Sequence, residues 1–223
     1  MLDLANAPNL EELYCEGNQI KELELRHSAK LVELDCDDNQ LSSLDIQFLP
    51  GLEKLWCGNN KIVSLDLSSA DNLQELHCWG NQIKELDLRY SAKLVVLEGN
   101  DNQFSGLNIQ FLPDLRKLWC HKNNIDSLDL SNAANLEELY CWGNQIKELD
   151  LRYSPKLVKL ACGENQLSSL DIQFLHVLQG LWCAQNKIAS LDLANAANLE
   201  VLYCSGNQIK ELDLRYSAKL IEF

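Results

Sequence analysis

Nine cysteines give this chain its most regular chemical pattern. They stand at intervals of 21 residues, with one doubled interval, at Cys15, Cys36, Cys57, Cys78, Cys120, Cys141, Cys162, Cys183 and Cys204. A column of thiols could bind metal ions or take part in redox chemistry. Zinc sites and disulfide frameworks use paired short spacings, however, and no such pair occurs here. Because a free cysteine behaves as a small hydrophobe, the spacing favours one inward-facing thiol per structural repeat.

An acidic column follows the same period. It consists of Glu24, Asp45, Asp66, Asp87, Asn108, Asp129, Asp150, Asp171, Asp192 and Asp213. Carboxylate oxygens suit calcium, which makes cation binding one interpretation. The glycine-rich nonapeptides of calcium-binding solenoids are absent, however. We favour hydrogen bonding of these side chains to nearby backbone or hydroxyl groups, with partial neutralisation by Arg26, Arg89, Arg152 and Arg215. We expect no metal and no cofactor.

The histidines do not suggest catalysis. Four are present, at His27, His77, His121 and His176, and each lies in a different stretch of the chain. Neither His77 nor His121 has an obvious serine or cysteine nucleophile beside it. The sequence contains no GxSxG, GxxxxGK[ST] or HExxH motif. We therefore expect no enzyme activity and name no catalytic residue.

The element that positions all these residues is a 21-residue repeat with the consensus LxxLxCxxNxIxxLDLxxxxx. A half unit (1–9) precedes ten units (10–219), and a stub (220–223) follows, which predicts a single solenoid over residues 1–223. Every unit keeps its asparagine, at Asn18, Asn39, Asn60, Asn81, Asn102, Asn123, Asn144, Asn165, Asn186 and Asn207. Each asparagine stands where the chain leaves a strand, so its side chain should satisfy backbone groups of neighbouring turns.

This unit resembles the leucine-rich repeats, whose core segment is LxxLxLxxN or LxxLxCxxN. The 21-residue length is similar to that of the bacterial subclass called IRREKO. The resemblance implies a right-handed superhelix with a parallel β-sheet on its concave face. About a dozen residues must return the chain to the next strand, which leaves little room for a crossover helix. We therefore predict a mainly β and turn solenoid with few or no helices on the convex side.

The alternation within each unit separates inward from outward side chains. In the first full unit, the inward positions are Leu10, Leu13, Cys15, Ile20, Leu23 and Leu25. The fifth unit departs from this pattern, with Gly99 in place of cysteine and Phe104 in place of isoleucine or leucine. We favour compensation, in which the larger ring fills the gap, over a special subsite at residues 98–101.

The aromatic residues of the strands predict the binding site. The resemblance implies that the concave face binds partners, and tryptophan and tyrosine dominate interface energies. The predicted partner-binding residues are Tyr14, Trp56, His77, Trp79, Trp119, His121, Tyr140, Trp142, Trp182 and Tyr203. We expect three clusters: one around Trp56, a second around Trp119 with His121 at its edge, and a third at Trp182. An acidic rim (Asp35, Asp37, Asp38, Glu98 and Asp101) should lie between them.

Two considerations weaken this prediction. Cross-strand aromatic pairs stabilise sheets without any partner. A second period of 63 residues also indicates copying of a longer segment, so a tryptophan that recurs with this period counts once as evidence. The aromatic residues of the return segments (Phe48, Tyr90, Phe111, Tyr153, Phe174 and Tyr216) should pack beneath the turns, without a function.

The net charge of the chain limits the classes of molecule that could bind it. With 33 acidic and 19 basic residues, the chain has a formal net charge of −14. Such a surface repels phosphate and anionic lipid, so we expect no nucleic acid and no membrane partner, whereas a basic protein would be attracted. Reduced thiols favour a cytoplasmic location, with a secreted effector as the alternative. Neither end carries a recognisable cap, so we expect a fragment of a longer protein or end-to-end self-association.

The favoured function is a protein–protein interaction module that binds its partner on the concave aromatic face. One alternative is a carbohydrate-binding solenoid, because flat aromatic rings suit sugars. The other is a structural or self-assembling repeat with no separate ligand.

Overall fold

The computed structural model describes residues 2–4 and 7–223, and within them it is a parallel β-solenoid without a helix. Residues 1, 5 and 6 of the predicted half unit lie outside the described residues. One three-residue strand per repeat builds a ten-stranded parallel sheet. The strands are β2 (Glu12–Tyr14), β4 (Glu33–Asp35), β5 (Lys54–Trp56), β6 (Glu75–His77), β7 (Val96–Glu98), β8 (Lys117–Trp119), β9 (Glu138–Tyr140), β10 (Lys159–Ala161), β11 (Gly180–Trp182) and β12 (Val201–Tyr203). The predicted fold class is confirmed.

A second, two-stranded sheet joins β1 (Leu2–Asp3) to β3 (Leu23–Glu24), also in parallel. The return segments elsewhere are turns and extended stretches, as their length and their turn-forming residues predict. In the part of the chain that the structure describes, no helix is long and apolar enough to cross a membrane.

The register of the large sheet follows the repeat directly. Each strand pairs with the strand 21 residues away, so that Leu34 lies beside Leu55 and Trp56 beside His77. Equal repeat lengths therefore place equal positions of successive units in columns. The central leucine of each strand points into the core, and its two neighbours point outward.

The inward columns form one continuous core. Eight of the nine cysteines are buried in it, Cys204 is half-buried, and all nine are free thiols. Burial raises the pKa of Cys78, Cys141 and Cys183 to about 12, because a thiolate would be poorly solvated there. These thiols are thus packing residues rather than nucleophiles, as the spacing predicts.

The conserved position of asparagine in each unit builds a ladder of hydrogen bonds. The Asn39 side chain donates to the carbonyl oxygens of Cys15 (2.9 Å) and Cys36 (3.1 Å). Its Oδ1 accepts a hydrogen bond from the backbone N–H of Ile20 at 2.9 Å. The asparagines from Asn39 to Asn207 each join their own turn to the preceding one, which confirms the expected role, whereas Asn18 donates only within its own turn.

The acidic column makes the local contacts that we favoured. Asp66 Oδ1 accepts from the N–H of Ser68 at 2.9 Å, and the other carboxylates of the column repeat this two-residue contact. Arg89 also pairs with Asp87 at 2.7 Å. Among the described residues, no group of histidine, cysteine and carboxylate side chains could hold a metal ion.

The aromatic residues of the return segments differ from the prediction. Tyr90, Tyr153 and Tyr216 are between 46% and 52% exposed, and Phe48 and Phe111 are about 40% exposed. They lie at turns whose leucines already fill the core, so their rings stay outside. The guanidinium carbon of Arg89 lies 5.8 Å from the centre of the Tyr90 ring. The expectation that these rings pack beneath the turns was wrong for these five; Phe174, the sixth, is half-buried.

Candidate partner-binding face

The outward side of the ten-stranded sheet brings the ten predicted site residues onto one surface. We call this surface the outward strand face; it consists of the third, fifth and seventh positions of each repeat. The third and fifth positions flank the buried central leucine of each strand, and the seventh follows the inward cysteine. A residue of any unit therefore lies beside the same position of the next unit.

The first aromatic cluster forms around Trp56. Its ring stacks on His77, with ring centres 5.7 Å apart. Trp79 lies across the backbone of Gly58 in the preceding repeat: a Cβ added to that glycine would lie 2.4 Å from the Trp79 Nε1. His77 Nδ1 lies 2.9 Å from a carboxylate oxygen of Glu98. The predicted grouping of these aromatic residues is therefore present.

The second cluster consists of two parallel stacks. Trp119 stacks on Tyr140 at 5.2 Å, and His121 stacks on Trp142 at 4.7 Å. His121 is thus a full partner in the second stack, whereas the sequence placed it at the edge of the cluster. The ammonium of Lys122 lies 5.2 Å from the centre of the Trp142 ring, on which it forms a cation–π contact.

The five tryptophans lie outside the core but are half-buried, not fully exposed. Stacking on neighbours and on glycine backbone covers much of each indole. Tyr14 (54%) and Tyr203 (39%) are more open. Three buried polar atoms on this face have no hydrogen-bond partner within the described structure: Trp119 Nε1, His77 Nε2 and His121 Nδ1.

The third cluster borders a cavity that the sequence analysis missed. The walls are Trp142, Trp182 and Tyr203, and the floor is Ala161, Gly163 and Ala184. Its volume is about 370 Å³, within the range of small-molecule sites. The signal in the sequence was the eighth unit, whose fifth and seventh positions are Ala161 and Gly163 where the second unit holds Asp35 and Asp37.

Comparisons with known proteins agree with this architecture. The family described as "Leucine Rich repeats (2 copies)" matches residues 8–47 and, in a second overlapping match, residues 29–69. The functional domain of InlJ from Listeria monocytogenes, which includes a cysteine ladder, superposes over 99% of this chain with 29% identity and a TM-score of 0.87. The chain has the leucine-rich-repeat fold, and its sequence matches the family over residues 8–69. It spans about half (54%) of that InlJ structure.

Two more distant structures share the leucine-rich-repeat fold. The protein LIC12759 from Leptospira interrogans has 22% identity and a TM-score of 0.77, over 99% of this chain and 68% of its own. The leucine-rich repeats of FLRT2, in an octameric complex with Latrophilin 3 and Unc5D, have 24% identity and a TM-score of 0.79, over 98% of this chain and 76% of that chain. No curated protein sequence matches this leucine-rich-repeat chain.

The charged residues of the outward strand face are mostly acidic. Asp37 is half-buried, and burial raises its pKa to about 6; a hydrogen bond from the backbone N–H of Gly58 opposes that shift. Burial likewise lowers the pKa of His121, although the nearby Asp101 partly offsets the effect. Of the predicted acidic residues, Glu98 and Asp101 lie between the first two aromatic clusters, whereas Asp35, Asp37 and Asp38 precede the first cluster, so that part of the expectation was wrong.

The chemical groups of this face are aromatic rings, imidazoles and carboxylates. The two histidines contact carboxylates and aromatic rings, namely Glu98 for His77 and Trp142 for His121. The thiols lie on the opposite, inward side of the strands. Within the described residues, the arrangement offers hydrogen-bond donors, ring faces and carboxylates, which suit binding rather than bond breaking.

Proposed function

We propose that this leucine-rich-repeat chain is a protein-interaction module that binds its partner on the outward strand face. The observation that carries the proposal is the concentration of stacked aromatic rings on that one surface. Five tryptophans lie on this surface, and each is half-buried, so part of every indole is open to a partner.

The stacked rings also supply the kind of surface on which binding energy concentrates. Trp119 and Trp142 belong to adjacent repeats and to two stacks, so together they form a rigid, half-buried patch. Rigid aromatic residues lose little conformational entropy on binding and are enriched among interface hot spots. Complex formation by the FLRT2 repeats shows that a solenoid of this fold can serve protein assembly.

Charge favours a basic partner. The net charge is −14, and Asp35 and Glu98 lie on the outward strand face. Attraction between opposite charges increases the association rate more than the final affinity, and salt weakens it. We propose that the partner presents a positive surface to this face and that the outward-facing acids contribute to its selection.

The experiment compares partner recovery by three forms of the chain. The wild type, a Trp119→Ala/Trp142→Ala variant and a Tyr90→Ala/Tyr153→Ala variant are used as bait under identical conditions. The second variant removes two exposed rings from the return segments and serves as the matched control. Loss of a partner by the tryptophan variant alone supports the proposal. Equal recovery by all three baits contradicts it, provided that circular dichroism shows that each bait is folded.

A further inference from the structure

The cavity between Trp142 and Trp182 has a feature that distinguishes it from the rest of the outward strand face. The 63-residue period places equivalent positions in three copies, and the middle unit of each copy separates two aromatic groups. That unit carries Asp35 and Asp37 in the first copy and Glu98 and Asn100 in the second. In the third copy it carries Ala161 and Gly163, so the space between the aromatic walls is open.

A second difference between the three copies lies beside Trp182. The third position of the equivalent strands is Lys54 in the first copy and Lys117 in the second, but Gly180 in the third. Trp182 lies over that glycine: an added Cβ would lie 2.3 Å from the indole Cη2. Lys54 instead places its ammonium 5.8 Å from the ring centre of Trp56. Trp182 has no such cation from its own strand.

The other wall, Trp142, has its stacking partners on the side that faces away from the cavity. His121 and Lys122 contact Trp142 from the preceding repeat, whereas the cavity is lined by the following repeats. Strands β9 and β11 are two sheet spacings apart, roughly 10 Å. A planar or linear group in van der Waals contact with both walls needs about 7–8 Å, so one side chain fits between them.

The only charged residue that lines the cavity, among those that the structure describes, is acidic. Glu164 stands at the rim, and the lining residues include no lysine, arginine or histidine among those that the structure describes. Aromatic rings attract cations through their negative faces, and a carboxylate at the rim adds to that attraction. A neutral apolar group would use the rings but gain nothing from Glu164, whereas an anion would be repelled.

We propose that this cavity binds a lysine or arginine side chain of the protein partner. The proposal rests on the function proposed above and identifies the chemical group that the third aromatic cluster recognises. The two earlier copies hold Lys54 and Lys117 at the strand position occupied here by Gly180. In the first copy, Lys54 of the chain itself places a positive charge beside Trp56. In the third copy, the partner's side chain supplies the positive charge beside Trp182.

The test uses a short peptide, acetyl-Gly-Arg-Gly-amide, titrated into the full chain labelled with ¹⁵N at tryptophan. We expect saturable shifts of the indole N–H signals of Trp142 and Trp182, with Trp56 and Trp79 unchanged. The same peptide with citrulline, which keeps the shape but lacks the charge, should bind more weakly. Methyl β-glucoside tests whether the walls accept a sugar instead.

Two carboxylate variants separate the cavity from general charge attraction. Glu164 and Asp38 occupy the same position in equivalent units, and both have a positive φ, at 51° and 54°. Each of Glu164→Gln and Asp38→Asn removes one negative charge, but only the first does so at the cavity. We expect Glu164→Gln to weaken the arginine peptide roughly two- to five-fold, as for one exposed ion pair, and Asp38→Asn to leave it unchanged.

The proposal is overturned by any of three results: no saturable shift at Trp142 and Trp182, equal binding of the arginine and citrulline peptides, or equal effects of the two carboxylate variants. Binding of the glucoside alone assigns the cavity to sugars. If the peptide fails while the Trp119→Ala/Trp142→Ala bait still loses its partner, then only the identity of the group in the cavity is wrong and the interaction function stands.

Discussion

The ring of Phe104 occupies the space that a side chain at Gly99 would need: a Cβ added there would lie 2.7 Å from the Phe104 Cε2. Phe104 is fully buried. The loss of cysteine at Gly99 and the larger ring of Phe104 therefore compensate for each other in volume, and the core remains filled.

This relationship predicts strong coupling between the two positions. Gly99→Cys alone should overpack the core and Phe104→Ile alone should leave a cavity, each lowering the free energy of unfolding by roughly 1–3 kcal/mol. The double variant restores the pair found in the sixth unit, Cys120 and Ile125, and should return to near wild-type stability. Urea denaturation of all four forms measures the coupling. Additive losses in the double variant would show that the ring does not fill the cysteine gap.

The asparagine ladder predicts that replacing an asparagine lowers the free energy of unfolding by an amount that depends on its position in the solenoid. Asn123 is buried, donates to the carbonyl oxygens of Gly99 and Cys120, and accepts from the N–H of Phe104 at 2.9 Å. Asn123→Ala leaves these groups without partners, so it should lower the free energy of unfolding by about 2–4 kcal/mol. Asn18, which is exposed, is the matched control and should cost less on replacement by alanine. Equal costs at both positions, measured by urea denaturation, would contradict the ladder's contribution.

Asp37 predicts a pH-dependent loss of stability. Its folded pKa is raised by burial to about 6, against 3.8 for the ordinary carboxyl. Between about pH 4 and 6 the unfolded chain therefore holds fewer protons at this group than the folded chain, so its contribution to stability falls as pH rises. Asp37→Asn should raise the melting temperature at pH 7 and have little effect at pH 4. A difference between wild type and variant that does not change with pH would refute this assignment.

The thiols predict a graded reactivity. Eight are buried and only Cys204 is half-buried. Because burial raises their pKa, few thiolates exist near neutral pH. Ellman's reagent should modify about one thiol rapidly in the folded chain, and Cys204→Ser should remove that phase, whereas Cys120→Ser should not. Rapid modification of several thiols under native conditions would mean that the cysteine column is open to solvent. The reducing compartment stays a prediction.

The sequence was sufficient for the inward side of this fold and insufficient for the outward side. Inward positions such as Leu34 and Cys36 are set by alternation and by a constant repeat length, both of which can be read directly. The outward rings depend on which residue the neighbouring repeat provides. Trp79 rests on Gly58, and Trp182 rests on Gly180 in its own strand, so half-burial of these indoles could not be derived from period alone.

The cavity escaped the sequence analysis for a related reason. It needs Ala161 and Gly163 in one repeat, together with aromatic walls in the repeats on either side. Alanine and glycine carry no functional group in their side chains, so these two residues alone do not indicate a binding site. A comparison of the three 63-residue copies position by position would have shown the gap.

The affinity of a recovered partner for the outward strand face tests the central claim most directly. Calorimetric titration of that partner should give binding to Trp119→Ala/Trp142→Ala that is at least about thirty-fold weaker than to the wild type, the loss expected when interface hot spots are removed. Tyr90→Ala/Tyr153→Ala, which alters only the return segments, should bind like the wild type. Equal affinity for the tryptophan variant and the wild type, with both folded, would contradict the assignment of the binding function to this face.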